Sequence, residues 1–543
     1  MLRIHELKLP LDHEPVALKP ALLKRLGTSE TDLVDFTIHK RAWDARKKSA
    51  IQLIYTIDAE VKDEAAVLKR LARDPHIGPA PDMTWRAPAK ATGTELRPVV
   101  IGMGPCGLFA GLILAEMGYR PIILERGKAV RERTVDTFAF WRKRQLNPES
   151  NAQFGEGGAG TFSDGKLYSQ IKDPRHLGRK VLNEFVAAGA PEEILYVAKP
   201  HIGTFRLVSM VETMRAKIET LGGEIRFSHH VTDIVLEGKT PRRRVAGVVL
   251  ANGDTLPCDR LVVALGHSAR DTFEMLHARG VFMEAKPFSI GVRIEHPQSI
   301  IDRARFGDAA GNPILGAADY KLSHQAKNGR GVYSFCMCPG GTVVATASEP
   351  GRLVTNGMSQ YSRRERNANS GIVVGITPDD FPSEKGDPLA GIAFQRHWEE
   401  QAYKAGGENW SAPGQLVGDF IAGRPSNSLG AVVPSYRPGV HPTDLALCLP
   451  DFAVEAMREA LPAFARQIPG YAMDEAVMTG VETRTSSPLR LTRGADFQSL
   501  NVEGLYPAGE GAGYAGGILS AAVDGIKVAE ALALSLSGAR VAA

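Results

Sequence analysis

The sequence predicts an α/β fold in which a Rossmann-like domain is interrupted by a long insertion. A buried strand, a glycine turn and a helix follow one another in RPVVIGMGPCGLFAGLILAEMG, residues 97–118. A second strand–turn–helix pattern, GLYPAGEGAGYAGGILSAAVDG, returns at residues 504–525. Alternating stretches such as GTVVATASE and SGIVVGI predict strands in the insertion between them.

The composition is that of an ordinary globular protein. Of 543 residues, 43% are hydrophobic and 23% are charged, and the formal net charge is +4. So small a charge favours neither a nucleic-acid nor a membrane partner. Five cysteines are few and odd in number, which argues for a reducing compartment. The N-terminus lacks the apolar core of a signal peptide, so we expect a cytoplasmic protein. The oligomeric state stays open.

Residues 1–90 predict a small α+β domain that precedes the Rossmann-like part. LRIHELKLPL is typical of a strand, ALKPALLKRLG of a helix ending at Gly27, and VDFTIHKRAWD and SAIQLIYTIDAEV of two strands. The Pro-, Ala- and Thr-rich segment Pro79–Gly93 indicates a boundary. The basic cluster at 40–48 indicates a solvated hairpin face, which we favour, or an anion-binding surface.

The first glycine turn matches a dinucleotide-binding fingerprint. In G-x-G-x-x-G, Gly102 allows the tight turn, Gly104 lets the backbone approach a pyrophosphate, and Gly107 lets helix and strand pack closely. Glu125 ends the next strand, where a carboxylate accepts hydrogen bonds from ribose hydroxyls and repels a 2′-phosphate. The turn therefore predicts FAD or NAD and not NADP. Cys106 is interpreted as a small packed residue.

The segment NAQFGEGGAGTFSDGKLYS, residues 151–169, has five glycines between Gly155 and Gly165. Such a composition is typical of a flexible linker. It is equally typical of a cradle, because glycine lets main-chain N–H groups approach a flat or phosphorylated ligand. The segment alone does not decide between the two.

Two further motifs resemble those of glutathione-reductase-type flavoproteins. GLYPAGE, residues 504–510, is similar to their second flavin-binding motif, with Gly509 and Glu510 where Gly-Asp is usual. LVVALGHSA, residues 261–269, is similar to another family segment, with Leu265 where Thr is usual. Three motifs in this order imply FAD and not NAD. The resemblance also implies that residues 151–169 form a cradle crossing the pyrophosphate and the isoalloxazine.

The whole chain resembles the bacterial family of uncharacterised FAD-dependent dehydrogenases. The strings that carry this resemblance are QFGEGGAGTFSDGKL, PFSIGVRIEHPQ, YSFCMCPGGTVV, GVETRTSSPLRL and GLYPAGEGAGYAGG. By this resemblance, residues 95–285 form the first part of the FAD-binding domain, 286–475 a cap or substrate domain, and 476–543 the C-terminal part of the FAD-binding domain.

The fingerprint and the resemblance together give the candidate cofactor-binding residues. They fall in the first turn, at the acid after the second strand, in the cradle, in the meander and in the C-terminal motif. These residues are Gly102, Gly104, Pro105, Cys106, Gly107, Glu125, Arg126, Gly155, Gly157, Gly158, Ala159, Gly160, Thr161, Lys166, Val231, Gly266, Gly509, Glu510, Gly516, Gly517 and Ile518.

Candidate catalytic residues lie in VETRTSSP, residues 481–488. If this segment is a strand, Glu482, Arg484 and Ser486 share one polar face beside the flavin. Arg484 would offer a fixed positive charge to a substrate carboxylate or to the N1–C2=O edge of the ring. An ordinary exposed strand is the alternative.

Cys336 and Cys338 are two residues apart, so a regular strand places both thiols on one face. Two packed thiols are the favoured interpretation, and a redox pair is the alternative. No metal site is predicted, because no further soft or imidazole ligands complete a set.

These observations predict an FAD-dependent oxidoreductase, a dehydrogenase or reductase that moves a hydride between a small-molecule substrate or NAD(P)H and flavin N5. NADH and NADPH are candidate donors, although no second G-x-G-x-x-G marks a domain for them. A flavin monooxygenase is disfavoured because the Asp-Gly motif of those enzymes is absent. A flavin-bound structural or RNA-linked protein would use the basic N-terminal domain, which has few aromatic residues.

Overall fold

The computed structural model describes residues 1–239, 243–382 and 386–538. The predicted parts 95–285, 286–475 and 476–543 therefore each include a few residues outside these ranges. Within the described residues no helix is both long and apolar enough to cross a membrane.

The N-terminal unit is a four-stranded antiparallel sheet with strand order β2-β3-β1-β4. Alternating apolar residues of the strands pack against α1, whose Leu22 and Leu26 are fully buried. Gly27 ends α1 at φ +60°, a left-handed conformation that glycine adopts at little cost. The strands and the helix predicted here are confirmed. The elements are β1 (Leu2–Pro10), α1 (Leu18–Leu26), β2 (Leu33–Asp44), β3 (Gln52–Val61), α2 (Glu64–Arg70) and β4 (Ile77–Pro79).

The next elements begin a doubly wound domain. Its first two strands, Val99–Ile101 and Ile122–Leu124, are short, apolar and buried, as expected when helices cover both faces of a parallel sheet. A small meander, β8 to β10, lies beside it. The elements are β5 (Val99–Ile101), α3 (Pro105–Glu116), β6 (Ile122–Leu124), α4 (Val130–Lys143), α5 (Leu177–Ala187), α6 (Thr204–Thr220), β7 (Glu224–Arg226), β8 (Val231–Glu237), β9 (Arg243–Leu250), β10 (Thr255–Pro257), β11 (Leu261–Val263), α7 (Arg270–Ala278) and β12 (Met283–Ala285).

The insertion is built on a large sheet, with α9 and α11 packed among its core residues. The buried positions of α11, among them Ala453, Met457, Ala460 and Phe464, follow helical spacing. The elements are β13 (Phe288–Pro297), α8 (Gln298–Phe306), β14 (Ser323–Gln325), β15 (Gly331–Ala345), β16 (Thr355–Ser359), β17 (Asn367–Ile376), α9 (Ala390–Ala405), β18 (Ala412–Leu416), α10 (Val417–Ala422), β19 (Val440–Pro442), α11 (Asp451–Gln467) and β20 (Val477–Glu482). We call this insertion the cap.

The C-terminal elements return to the doubly wound domain. They are β21 (Leu489–Leu491), β22 (Val502–Glu503), β23 (Leu505–Pro507) and α12 (Ile518–Leu536). The parallel sheet thus has the order β23-β11-β5-β6-β7, which is the Rossmann order. The chain adds strands on one side of β5 first and then on the other, so the strand order reverses between β5 and β11. The predicted α/β class is confirmed.

Glycine lets α3 approach its neighbours closely. A Cβ atom on Gly107 would lie 1.9 Å from the carbonyl oxygen of Gly102, and one on Gly525 of α12 would lie 2.3 Å from that of Cys106. No side chain fits at either position. The third glycine of the fingerprint therefore has the packing role that the sequence predicts.

The structure places β20 in the cap. This strand pairs with β13 and β18 of the large sheet. The sequence predicts that residues 476–482 belong to the C-terminal FAD-binding part, but their pairing places them in the cap sheet, so the predicted boundary at 475 falls too early. The reason is that β20 is a buried strand whose antiparallel neighbours lie far away in sequence, and periodicity does not reveal pairing partners.

A β-bulge interrupts β15 between Phe335 and Cys338. Cys336 has φ +44°, in the left-handed region that residues other than glycine rarely adopt. Period-two alternation therefore fails across the bulge, and the predicted common face for the two thiols is wrong: Cys336 is exposed and Cys338 is fully buried.

Candidate functional site

A cavity of about 950 Å³ opens at the carboxyl ends of the parallel strands. It begins where the strand order reverses, between the end of β5 and the end of β11, which is where open α/β sheets bind ligands. From there it continues to the cap, where β15 and β17 line it. The doubly wound domain and the cap therefore share one site.

Most of the predicted cofactor-binding residues line this cavity. They come from the first turn, the cradle segment, the meander and the start of α12. Those in its wall are Gly102, Gly104, Pro105, Cys106, Glu125, Arg126, Gly158, Ala159, Gly160, Lys166, Val231, Gly266, Glu510, Gly516, Gly517 and Ile518.

The other five candidates, Gly107, Gly155, Gly157, Thr161 and Gly509, lie behind the wall. Gly155 and Gly157 have φ of +119° and +82°, and a Cβ on either would clash with Arg133 or Thr161. Thr161 donates to the carbonyl of Glu156, and Gly509 packs against Cys106. These five residues hold the shape of the site, because each keeps a close contact that a different side chain would disturb.

Glu125 ties three loops of the site together. It is 5% exposed, and its carboxylate accepts hydrogen bonds from the N–H groups of Met103 at 2.8 Å, Gly127 at 2.9 Å and Gly155 at 2.9 Å. A carboxylate offers about four acceptor positions, so one stays available for a ligand hydroxyl.

The glycine-rich segment is held by a buried arginine. Arg133 of α4 is fully buried and donates to the carbonyls of Asn151 at 2.8 Å, Ala152 at 2.9 Å and Glu156 at 2.7 Å. The segment is therefore fixed, as a cradle requires, and the linker interpretation is wrong for this part of the chain. Arg133 was missed because nothing in the sequence of α4 marks it as different from a surface arginine.

Two helix N-termini face the cavity without side-chain caps. Gly104 precedes α3 and Gly517 precedes α12, and neither has a side chain to accept from the first free N–H groups. Such N–H groups and the positive end of the helix dipole attract anionic or electron-rich ligand groups.

Glu510 presents an unpartnered carboxylate to the same cavity. It makes no side-chain hydrogen bond with any described residue, and Nε2 of His267 lies 3.9 Å from its Oε1. Burial raises the pKa of Glu510 to about 7. Burial, together with Arg484 and Arg270, lowers the pKa of His267 to about 3, so its imidazole is neutral. The carboxylate of Glu510 is therefore free to accept hydrogen bonds from the hydroxyl groups of a bound ligand.

Comparisons with known proteins agree with this geometry. A family model described as "FAD-dependent protein, C-terminal domain-like" matches residues 287–485, and a domain of unknown function matches residues 1–60. An uncharacterized protein of Clostridium beijerinckii is 49% identical over 534 residues, covering 97% of this chain and 98% of that protein.

The chain belongs to a family of FAD-dependent flavoproteins.

Solved structures of low similarity include two flavoproteins. A flavoprotein/dehydrogenase from Cytophaga hutchinsonii is 13% identical, covers 82% of this chain and 80% of its own, and gives a TM-score of 0.33. The glycerol-3-phosphate dehydrogenase from Bacillus halodurans, complexed with FAD, is 13% identical. Its match covers 82% of this chain and 66% of its own, with a TM-score of 0.35. Scores this low have no bearing on substrate or reaction.

The residues of this flavoprotein fit FAD. The uncapped N-termini of α3 and α12 suit a pyrophosphate and an electron-rich ring edge. The free acceptor position of Glu125 suits ribose hydroxyls, and the unpartnered Glu510 suits hydroxyls of the ribityl chain. A Cβ on Gly158 would lie 2.8 Å from the Cα of Gly104, so glycine keeps the cradle close to the first turn.

Glu510→Gln should change how the stability of the FAD-free protein depends on pH. The unfolded Glu510 loses its proton near pH 4.5 and the folded one near pH 7, so a rise in pH across this window lowers the wild-type free energy of unfolding. Glutamine has no proton to lose. The free energy of unfolding of the variant should therefore rise relative to that of wild type by about 2–3 kcal/mol between about pH 5 and about pH 8. Chemical denaturation across this pH range measures the difference.

Glu503→Gln is the control for this experiment, because Glu503 is an exposed glutamate. Bound FAD should reduce the gain, because hydrogen bonds from its hydroxyls favour the ionised Glu510. A gain that is the same with and without FAD would contradict contact between Glu510 and the cofactor.

Arg484 lines the cavity, but its guanidinium is bonded to the protein. Both of its outer nitrogens and Nε are used: it pairs with Glu399 at 3.1 Å and donates to Ser268 at 3.1 Å and Ser348 at 2.7 Å. The predicted role requires donors that are free to bind a substrate carboxylate, but these donors already bond to the protein. Its charge nevertheless remains at the cavity wall.

The predicted common face of Glu482, Arg484 and Ser486 does not exist, because β20 ends at Glu482. Thr483 and Arg484 are adjacent residues, which a regular strand would place on opposite faces, yet both bond to Glu399. Ser486 reaches the cavity wall. Glu482 does not: its buried side chain lies 3.2 Å from Arg293 of the neighbouring strand β13, and burial raises its pKa to about 7.

Several wall residues were missed by the sequence analysis. His229 and His230 follow β7, so the rule that ligands bind beyond the carboxyl ends of parallel strands would have found them. No local signal marks the residues that the cap contributes, since they meet the doubly wound domain only in the tertiary structure. They include Asn356 and Thr377.

Proposed function

We propose that this flavoprotein is a dehydrogenase or reductase that moves a hydride between a small-molecule substrate, or NADH or NADPH, and N5 of FAD. The observation that carries the proposal is the shared cavity, in which the cradle for the cofactor runs without interruption into a pocket of the cap. When bound, FAD supplies two-electron chemistry at its ring. The protein supplies the binding, the orientation and the exclusion of water.

In this proposal the cofactor is held by the first turn around Gly104, the cradle at 158–160, and the start of α12 at Gly517. Glu125 and Glu510 accept from its hydroxyl groups. The short contact between Gly158 and Gly104 keeps the two glycine segments together, so a ligand lies against main-chain N–H groups.

The cap end of the cavity suits a substrate without a strong negative charge. Each cation that the described residues place in the wall is already paired or bonded within the protein. Arg126 pairs with Glu149 and Asp271, Arg330 with Asp380, and Arg484 with Glu399, while Lys166 donates to the carbonyl of Met337. Aromatic and apolar residues, including Tyr333, Phe335 and Ile376, complete the wall. A neutral, partly apolar molecule fits this lining.

Purified protein should be yellow and should release FAD, not FMN, on denaturation. The fingerprint turn and Glu125 serve the adenosine half of a dinucleotide, which FMN lacks. Chromatography of the supernatant after heat denaturation measures this. A colourless protein that takes up no FAD on reconstitution would contradict the proposal.

Anaerobic reduction distinguishes the donors. FAD-loaded protein is mixed with NADH, with NADPH or with a small-molecule extract, and bleaching of the flavin band is followed by stopped flow. Reoxidation by small-molecule extracts under argon then identifies the acceptor class. Reduction by either nucleotide or by an extract supports hydride transfer. A flavin that neither nucleotide nor any extract reduces, or one that is reoxidised only by oxygen with hydroxylation of a substrate, contradicts it.

A further inference from the structure

Two cysteines of β15 meet at the wall of the cavity. Cys336 is exposed and lines the cavity that the cradle segment also lines. Cys338 lies fully buried directly behind it, with its thiol 3.2 Å from the carbonyl oxygen of Cys336. One thiol is thus accessible from the flavin side, and the second is protected next to it.

The bulge lies at these two residues. A regular strand keeps neighbours at i and i+2 extended, but the left-handed conformation of Cys336 bends the chain between them. A non-glycine residue held at positive φ indicates a conformation that the surroundings enforce, and such positions concentrate at functional sites.

Two cations flank the pair. Arg293, fully buried, donates to the carbonyl of Cys336 at 3.0 Å and lies 3.8 Å from Sγ of Cys338. Lys166 of the cradle segment donates to the carbonyl of Met337, between the two cysteines. The hydrogen bond from Cys338, with the charges of Lys166 and Arg293, lowers the pKa of the Cys336 thiol below its usual range. A thiolate is the reactive form of cysteine.

The remaining cysteines do not share this environment. Cys258 and Cys448 are buried away from the cavity, and burial raises the pKa of both to about 12. Cys106 lies in the first turn, and burial raises its pKa as well. Only Cys336 and Cys338 combine proximity, access to the cavity and nearby positive charge among the described residues.

We propose that Cys336 and Cys338 form a reversible disulfide that exchanges two electrons with FAD bound in the shared cavity. The inference rests on the proposed function for its flavin partner. As the Sγ–Sγ bond forms, the two thiols lose two electrons and two protons; oxidised FAD takes up both electrons and one proton, and the second proton passes to solvent. The reverse reaction restores both thiols. Arg293 and its partner Glu482 act as positioning residues beneath the pair.

The first readout is chemical and independent of turnover. FAD-loaded protein is oxidised with diamide, its remaining thiols are alkylated, and it is digested with trypsin. Cleavage after Arg330 and Arg352 releases one peptide that contains Cys336 and Cys338 and no other cysteine. This peptide should lose two hydrogen atoms and take up no alkyl group. The same result is expected for the control Cys258→Ala, whereas Cys338→Ala should leave an alkylated or otherwise modified Cys336.

The second readout counts electrons. Titration of the diamide-oxidised protein with dithionite should consume four electrons per FAD in wild type and in Cys258→Ala, but two in Cys336→Ala and Cys338→Ala. An alkylated wild-type peptide, or two electrons per FAD in oxidised wild type, overturns the proposed couple. If the couple fails but NADH or NADPH still reduces the flavin in the same preparation, the proposed hydride transfer stands. Failure of the disulfide proposal is thus distinguishable from failure of the proposed function.

Discussion

Replacing Glu399 with glutamine should lower the free energy of unfolding of the cap by about 3–5 kcal/mol, the cost of breaking a buried ion pair from one side. Glu399 is fully buried on α9 and accepts from Arg270 at 2.6 and 2.9 Å, from Arg484 at 3.1 Å, and from Thr483 at 2.7 Å. Burial would raise the pKa of Glu399, but the two arginines outweigh burial and hold it far below the usual range. The amide leaves the buried guanidinium of Arg484 without its paired anion and leaves Arg270 paired with Glu349 alone.

The neighbouring Glu400 provides the matched control. Its carboxylate is 43% exposed and pairs with Arg352 at 3.0 Å, and such surface pairs contribute about 0–1 kcal/mol. Chemical denaturation of FAD-free wild type, Glu399→Gln and Glu400→Gln measures both effects. If the two variants lose the same small amount, the cluster around Glu399 does not hold α9 to the cavity wall.

Glu125→Ala should weaken FAD binding by at least about a hundredfold. The substitution removes a charged acceptor, and hydrogen bonds to such groups contribute about 1.5–3 kcal/mol each. It also frees the N–H groups of Met103, Gly127 and Gly155, so the first turn and the cradle lose the residue that joins them. Titration of FAD-free protein with FAD, followed by flavin fluorescence, measures the dissociation constant.

Cys106→Ala is the control for this loss, because it changes a small packed residue in the same turn and leaves the carboxylate in place. We expect less than about a tenfold change, the size of about 1.4 kcal/mol. Equal FAD affinities in the two variants would show that Glu125 does not contact the cofactor and that the loops keep their shape without it.

The sequence by itself determined the parts of the molecule that depend on neighbours within one strand–turn–helix unit. Gly102, Gly104 and Gly107 follow β5 and open α3, and a Cβ at Gly102 or Gly107 would clash with neighbouring backbone. The alternating strands of the N-terminal unit and the helix ended by Gly27 could also be predicted, since periodicity and turn chemistry act over a few residues.

Only the tertiary structure decided which distant side chains share the site. Arg133 fixes the glycine-rich segment, and Glu399 binds Arg484 from 85 positions away, through contacts that local patterns do not encode. The end of β20 at Glu482 and the bulge at Cys336 each broke a period-two prediction, because strand register follows from pairing with other strands. Buried charges require partners, and in this protein the fold brings those partners together from separate domains.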